Sequence, residues 1–211
     1  MKLTVATFVS VDGVMQGPGA ADEDRAHGFE RGGWLVPHFD DETGAFMAEM
    51  FERVDAFLLG RRTYEIFAES WGAMPDPGDD PVAVGLNTLP KYVPSTTLTD
   101  PRWANTTVLS GDVEAAVREL KARPGRELQV HGSGALVRWL FAKDLVDEFS
   151  LLTFPVVVGD GTRLFADKGL DTDLELLSSR STSKGVAIQT YRPTGRARYG
   201  TADVNGMREN G

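Results

Sequence analysis

Cysteine is missing altogether from the 211 residues. That excludes disulfides, thiolate metal centres and the cysteine-held zinc of nucleobase deaminases. Histidine is scarce: His27, His38 and His131 stand far apart with no ligand spacing, so no metal site is expected. No run approaches the ~20 apolar residues of a membrane helix. Positive charge is in deficit, with 22 Lys and Arg against 31 Asp and Glu and a net charge of -9. A broad surface for nucleic acid or anionic lipid is therefore not expected. There is no P-loop, no G-x-G-x-x-G fingerprint and no G-x-S-x-G elbow. The opening MKLTVATFVSVDG is too short and too polar for a signal peptide, and a soluble cytoplasmic protein is the expectation.

What the chain does hold is a core. Hydrophobic residues make up 41% of it, enough for one domain of ordinary size. Residues 2–11 alternate, with Leu3, Val5, Thr7, Val9 and Val11 on one side and Ala6 and Phe8 on the other. Both sides are largely apolar, the mark of a central strand. Residues 16–33 are Gly-rich, charged and without period, a long loop of the kind that often carries function. Asp40, Asp41 and Glu42 precede Phe46, Met47, Met50, Phe51 and Val54, so a helix with acids in its first turn is predicted. A second buried strand, 54–59, leads through Gly60 to a helix carrying Tyr64, Phe67, Ala68 and Trp71 on one face. Residues 75–85 read as loop.

Farther on, 91–95 and 106–110 are short strand candidates, and Val113, Ala116, Val117 and Leu120 mark a helix. A strand at 127–132 is followed by a helix at 133–144. The stretch 147–159 is strand-like, with Pro155 pointing to an edge or a bulge. Two further runs flank Lys184-Gly185 as a hairpin. Strands and helices alternate first and strands pair later, which predicts an α/β sheet, mostly parallel, with antiparallel strands at its C-terminal side. No domain boundary or repeat is seen. Residues 1–193 read as one domain and 194–211 as a frayed tail.

Two strand-to-helix junctions could bind an anion. Gly60-Arg61-Arg62-Thr63 joins free amides at a helix start to two guanidinium forks, with Thr63 free to cap the helix or meet a phosphate. The alternative is that Arg61 and Arg62 are solvated and pair with Glu52 or Glu65. At His131-Gly132-Ser133-Gly134, two glycines let backbone approach a ligand ahead of another helix, or they make only a tight turn. Asp12, just before Gly13, points into a cleft or serves as a plain turn residue. Asp40 and Asp41 are candidate proton donors or helix caps. Trp34 lines a pocket or covers the core.

Taken together, SVDG (10–13), LLGRRTYE (58–65), LPKYVPSTTL (89–98), VHGSGALVRWL (130–140) and LVDEFSLLTFPVVVGDGTRLF (145–165), with the terminal hairpin, resemble the dihydrofolate reductase-like superfamily. The closer resemblance is to its branch named for the RibD C-terminal domain, the reductase half of a riboflavin-biosynthesis enzyme. The likeness spans roughly residues 2–192. It implies a single dihydrofolate reductase-like domain: a mostly parallel central sheet, helices on both faces and a C-terminal antiparallel hairpin. It also implies an NADPH-dependent oxidoreductase acting on a small heterocyclic substrate, with a homodimer plausible through sheet edges near 149–158. By the same resemblance, Gly60, Arg61, Arg62 and Thr63 hold the adenosine 2′-phosphate and pyrophosphate. Ser95 and Thr96 lie on the adenine side. Gly132, Ser133, Gly134, Ala135 and Leu136 form the second phosphate turn, and Thr7, Phe8 and Met15 follow the nicotinamide edge. Asp12 is the candidate contact to substrate or carboxamide, and Asp40 a candidate source of a proton. Folate reductases carry an acid in the helix after their tryptophan loop; here Phe39 falls at that position, with Asp40 one residue away. Reduction in riboflavin biosynthesis is the first expectation. Folate reduction, or a nucleotide-binding protein without catalysis, is the alternative.

Overall fold

The computed structural model describes residues 1–165, 169 and 171–201. Its strands are β1 (Lys2–Ser10), β2 (Val54–Leu58), β3 (Lys91–Pro94), β4 (Thr106–Leu109), β5 (Glu127–His131), β6 (Glu148–Phe154), β7 (Asp173–Ser181) and β8 (Ala187–Gly195). The helices are α1 (Asp41–Phe51), α2 (Arg61–Ser70), α3 (Pro81–Thr88), α4 (Val113–Ala122) and α5 (Gly134–Ala142). All eight strands join one sheet in the order β4-β3-β2-β5-β1-β6-β8-β7. Pairing is parallel from β4 through to β6. β8 lies antiparallel to both β6 and β7.

The two-sided alternation of β1 has a direct structural meaning. Leu3, Val5 and Val9 pack with Val117 and Leu120 of α4 and with Val137 and Leu140 of α5. Ala6 and Phe8 face the opposite core, built with Met47, Met50 and Phe51 of α1, Tyr64 of α2 and Leu86 of α3. Helices therefore cover both faces, and a parallel sheet buried on both sides needs apolar residues on both. Among the described residues no helix is long and apolar enough to cross a membrane.

Four expectations change. Residues 75–85 are not all loop, because α3 begins at Pro81. Asp80 caps it by accepting from the amides of Val82 and Ala83. Asp followed by Pro at the first helical position is a helix-start signal that the short apolar run after it masks. Pro155 marks neither edge nor bulge: β6 ends at Phe154, one residue before it. Nor is β6 a free edge, since β1 and β8 flank it and the sheet's edges are β4 and β7. At the C-terminal side β8 includes residues 194 and 195, the first two of the expected tail; residues 202–211 lie outside the described part.

One charge is placed in the interior. Lys91 opens β3, and its Nζ donates to the carbonyls of Leu86 (2.7 Å) and Leu89 (2.9 Å) at the end of α3. The ammonium also lies 4.5 Å from the centre of the Trp103 ring. A helix C-terminus is the favourable end for a cation, yet burial pushes the Lys91 pKa down to about 8.

Candidate functional site

Parallel strands point their carboxyl ends to the same edge, where the crossovers must turn into helices. At this edge β2 leads into α2, β4 into α4 and β5 into α5. The three helix N-termini converge on a cavity of about 640 Å³. The start of α2 contributes Gly60, Arg61 and Arg62, the start of α4 contributes Gly111, Asp112 and Glu114, and α5 contributes Ser133, Ala135 and Leu136. Pro94 at the end of β3 joins Leu136 and the half-buried Trp139 as an apolar wall.

The two predicted junctions touch. A Cβ on Gly60 would lie 1.8 Å from Ser133 Oγ and 2.6 Å from Ser133 Cβ, so only glycine fits there as the turns stand. Gly132 (φ 60°) and Ser133 (φ 59°) both take the left-handed conformation as the chain enters α5. Strain at a non-glycine residue of this kind marks a turn held in place by its surroundings. Thr63 does not cap α2; its side chain faces Gly132, 3.6 Å from where a Cβ would stand. Met15 lies over Gly134, its sulfur 2.7 Å from the corresponding point.

The arginines are exposed but not free. Arg61 pairs with Glu65 at 2.7 Å, as one alternative had it, and Arg62 pairs with Asp24 of the long loop. Across the cavity Lys143 pairs with Glu114 at 2.7 Å. Such surface pairs contribute little to stability and exchange partners readily.

Thr7 and Phe8, expected along one edge, point to opposite faces of the sheet, as neighbours in a strand must. Thr7 is buried, and its Oγ1 has no hydrogen-bond partner. Phe8 sets its edge against Phe154, with centroids 5.7 Å apart. Trp34 is buried, packs on Phe154 at 5.8 Å and donates from Nε1 to the Gln16 carbonyl at 2.8 Å, so it covers the core. Ser95 turns its hydroxyl back to accept from the amides of Thr97 and Leu98 at 3.1 and 3.0 Å. Thr96 is exposed, and the cavity reaches β3 only at Pro94.

The two carboxylates proposed for chemistry are engaged in structure. Asp12 accepts from Ser10 Oγ (2.6 Å) and from the amides of Val158 (3.0 Å) and Gly159 (2.8 Å). It thereby ties the end of β1 to the loop after β6. The Ser10 hydrogen bond, opposed by burial and helped by the amides, takes its pKa down to about 2. Asp40 caps α1 through the amide and hydroxyl of Thr43, at 2.9 and 2.7 Å, and accepts from the amide of Lys184 in the β7–β8 turn at 3.1 Å. Desolvation pushes its pKa up, but hydrogen bonds from Thr182, Thr43 and Lys184 outweigh it and hold the carboxyl below the usual range. Neither group is suited to release a proton at neutral pH. Asp41 lies in the first turn of α1, where its charge suits the dipole.

Asp24, Gly111, Asp112, Glu114, Trp139 and Lys143 escape the sequence reading. The Gly-Asp pair at 111–112 did carry a signal: Asp112 caps α4 by accepting from Ala115 N at 3.0 Å, at a third strand-to-helix junction. Asp24 and Lys143 carry no local signal.

Comparison with known proteins agrees with this architecture. The uncharacterized protein YyaP of Bacillus subtilis (strain 168) is 27% identical over 164 residues, covering 77% of this chain and 84% of its own. The crystal structure of a protein from Shewanella sp. PV-4 named for riboflavin biosynthesis is similar with a TM-score of 0.68 at 22% identity, over 92% of this chain and 99% of that one. Dihydrofolate reductase from Enterococcus faecalis, complexed with NADP(H) and RAB-propyl, is similar with a TM-score of 0.57 at 14% identity, over 92% and 96%. At such identities the structural likeness concerns the fold. The sequence carries more, since residues 1–188 match the model of the RibD C-terminal domain, and the chain belongs to that family.

Proposed function

We propose that the protein is an NADPH-dependent reductase of a small heterocyclic substrate, as in the riboflavin-type members of its family. The observation that carries this is the meeting of three helix N-termini and two arginines on one cavity at the carboxyl edge of the sheet. Helix N-termini present unpaired amides and the positive end of the dipole, which suits phosphates. A cavity of this size with one apolar wall suits a dinucleotide better than a lone anion.

The residues present fit the cofactor. Gly60 borders the cavity, and the missing side chains at Gly60 and Gly134 make room for Ser133 and Met15, so the two turns pack closely enough to offer their helix-start amides together to a pyrophosphate. Arg61 and Arg62 offer guanidinium forks to a 2′-phosphate. Pro94, Leu136 and Trp139 offer an apolar wall to adenine. Thr7 Oγ1, buried without a partner beside the same edge, is a polar atom that a bound carboxamide satisfies. NADPH supplies the hydride, and the chain's work is binding, orientation and exclusion of water. In this reading Asp12 positions the loop after β6 rather than touching the reacting atoms, and the proton comes from solvent rather than from Asp12 or Asp40. Folate reduction is not favoured, because Asp40 faces Thr43 and the β7–β8 turn and Phe39 occupies the acidic position.

The test is cofactor titration of the purified protein and of the double variant Arg61→Ala, Arg62→Ala. Charge-assisted hydrogen bonds of about 1.5–3 kcal/mol should cost NADPH about ten- to a hundredfold in affinity, with NADH little changed. Equal losses for both dinucleotides, or none, overturn the 2′-phosphate assignment. NADPH oxidation against a panel of pyrimidines and pteridines then separates an enzyme from a binding protein.

A further inference from the structure

The partner of Arg62 comes from the loop that the sequence marks as long and aperiodic. Asp24 Oδ1 accepts from Arg62, from Gln16 Nε2 at 3.1 Å and from the amide of Ala26 at 3.0 Å. Arg62 is the only cation paired with Asp24 among the described residues. The Asp24 side chain is 14% exposed and that of Arg62 52%, so the carboxylate is the sheltered member. Gln16 passes the connection on: its Oε1 accepts from the amide and hydroxyl of Thr162 at 2.9 and 3.0 Å. A second cavity of about 260 Å³ opens beside this chain of contacts, lined by Gln16, His27, Phe29 and Thr162 among others. Arg62 thus belongs to two structures at once. It borders the large cavity and holds down the loop beside the small one.

We propose that Asp24 is an internal competitor for Arg62, so that a dinucleotide bearing a phosphate monoester displaces it and releases the loop around residues 22–27. The proposal rests on the NADPH reading above. A monoester dianion offers three oxygens and more charge than a carboxylate, so it takes the guanidinium fork. Asp24 is then left with two neutral donors, and a sheltered carboxylate that has lost its cation is better solvated by moving out. A dinucleotide with a plain ribose hydroxyl brings only its pyrophosphate, which this reading gives to the helix-start amides rather than to Arg62, and the contact stays closed. Loop release therefore follows the 2′-phosphate and not occupancy of the cavity as such. The protein gains a local response confined to one form of the cofactor.

Trypsin reads the loop directly, because Arg25 is exposed within it. Cleavage after Arg25 is timed by mass spectrometry for wild type, Asp24→Asn and Arg62→Gln, each alone, with NADPH and with NADH. Dissociation constants for both dinucleotides are measured by calorimetry on the same samples. In wild type, NADPH speeds cleavage several-fold and NADH does not. Asp24→Asn and Arg62→Gln are both cleaved quickly without cofactor. Asp24→Asn binds NADPH about threefold more tightly, the scale of a weak ion pair with one exposed partner, and binds NADH as before. If wild type binds NADPH while cleavage is unchanged or slower, or if Asp24→Asn binds it no more tightly, the competition is wrong and the cofactor reading stands. If no variant binds NADPH, both fall together.

Discussion

Replacing Gly60 with alanine tests whether the two phosphate-facing turns are built against each other. Gly60 has φ -65° and ψ 149°, a conformation alanine adopts freely, so the backbone supplies no penalty. The penalty is steric: the new Cβ would stand 1.8 Å from Ser133 Oγ and 2.6 Å from Ser133 Cβ. The hydroxyl can rotate away, but the Cβ cannot, so one turn has to shift. Overpacking of this kind costs about 1–3 kcal/mol, and alanine is also a poorer N-cap than glycine by about 1 kcal/mol. Ser133→Gly removes both offending atoms and relieves a left-handed residue, which stabilises by about 1 kcal/mol. In the double variant the next neighbour of the new methyl is Leu136 Cβ at 3.8 Å, an ordinary contact. The cycle should therefore show the pair more stable than the sum of the singles by about 1–3 kcal/mol. Urea unfolding followed by tryptophan fluorescence measures the four stabilities. NADPH titration of the same proteins should show Gly60→Ala weakened by roughly tenfold and the double variant largely restored. Stabilities that add within about 0.5 kcal/mol would mean that the turns do not meet, and the joint site would lose its basis.

Two further outcomes concern buried titrating groups. Burial takes Lys91 from 10.5 to about 8 in the folded protein. Between these values the unfolded chain holds a proton that the folded one lacks, so stability should rise with pH from 8 to 10.5. Lys91→Met should lack that increment when urea unfolding of the two proteins is compared across the window, and parallel curves would refute it. His131 is buried against Phe51 at 5.0 Å between ring centres and lies 2.5 Å from Gln129 Oε1. Burial takes its pKa from 6.5 to about 4. Here too the unfolded chain binds the extra proton, so stability is lost as pH falls from 6.5 to 4. His131→Gln should be less acid-sensitive than wild type over that interval by thermal melting, and an unchanged pH profile would show that the imidazole titrates freely in the folded state.

Much of the architecture was legible because it is written at short range. The double alternation of β1 announces a strand covered on both sides. The apolar faces of α2, α4 and α5 announce themselves by helical spacing, and Lys184-Gly185 marks its hairpin. Gly60 and Gly132 were visible as turns at helix starts, since a strand-to-helix junction needs a particular residue at a particular step. α3 was missed although Asp80-Pro81 is a start signal, because eight residues carry too little periodicity to weigh against a polar, proline-rich approach. The fate of Asp12 and Asp40 was ambiguous for a different reason. An Asp beside a turn or a helix start looks the same whether its oxygens meet amides or a ligand, and the amides of Val158, Gly159 and Lys184 lie more than a hundred residues away in the chain.

From its sequence alone, then, this protein had every element type but α3, its mostly parallel sheet, its family resemblance and two glycine-bearing anion junctions. Periodicity, capping and turn chemistry act within a few residues, so the order of residues contains them. The tertiary structure decided the strand order β4-β3-β2-β5-β1-β6-β8-β7, and with it which junctions become neighbours. Only that order sets Gly60 against Ser133, adds the start of α4 as a third wall and lays Asp24 on Arg62. Those contacts join segments far apart in the chain, and their geometry follows from strand pairing and helix packing over the whole sheet.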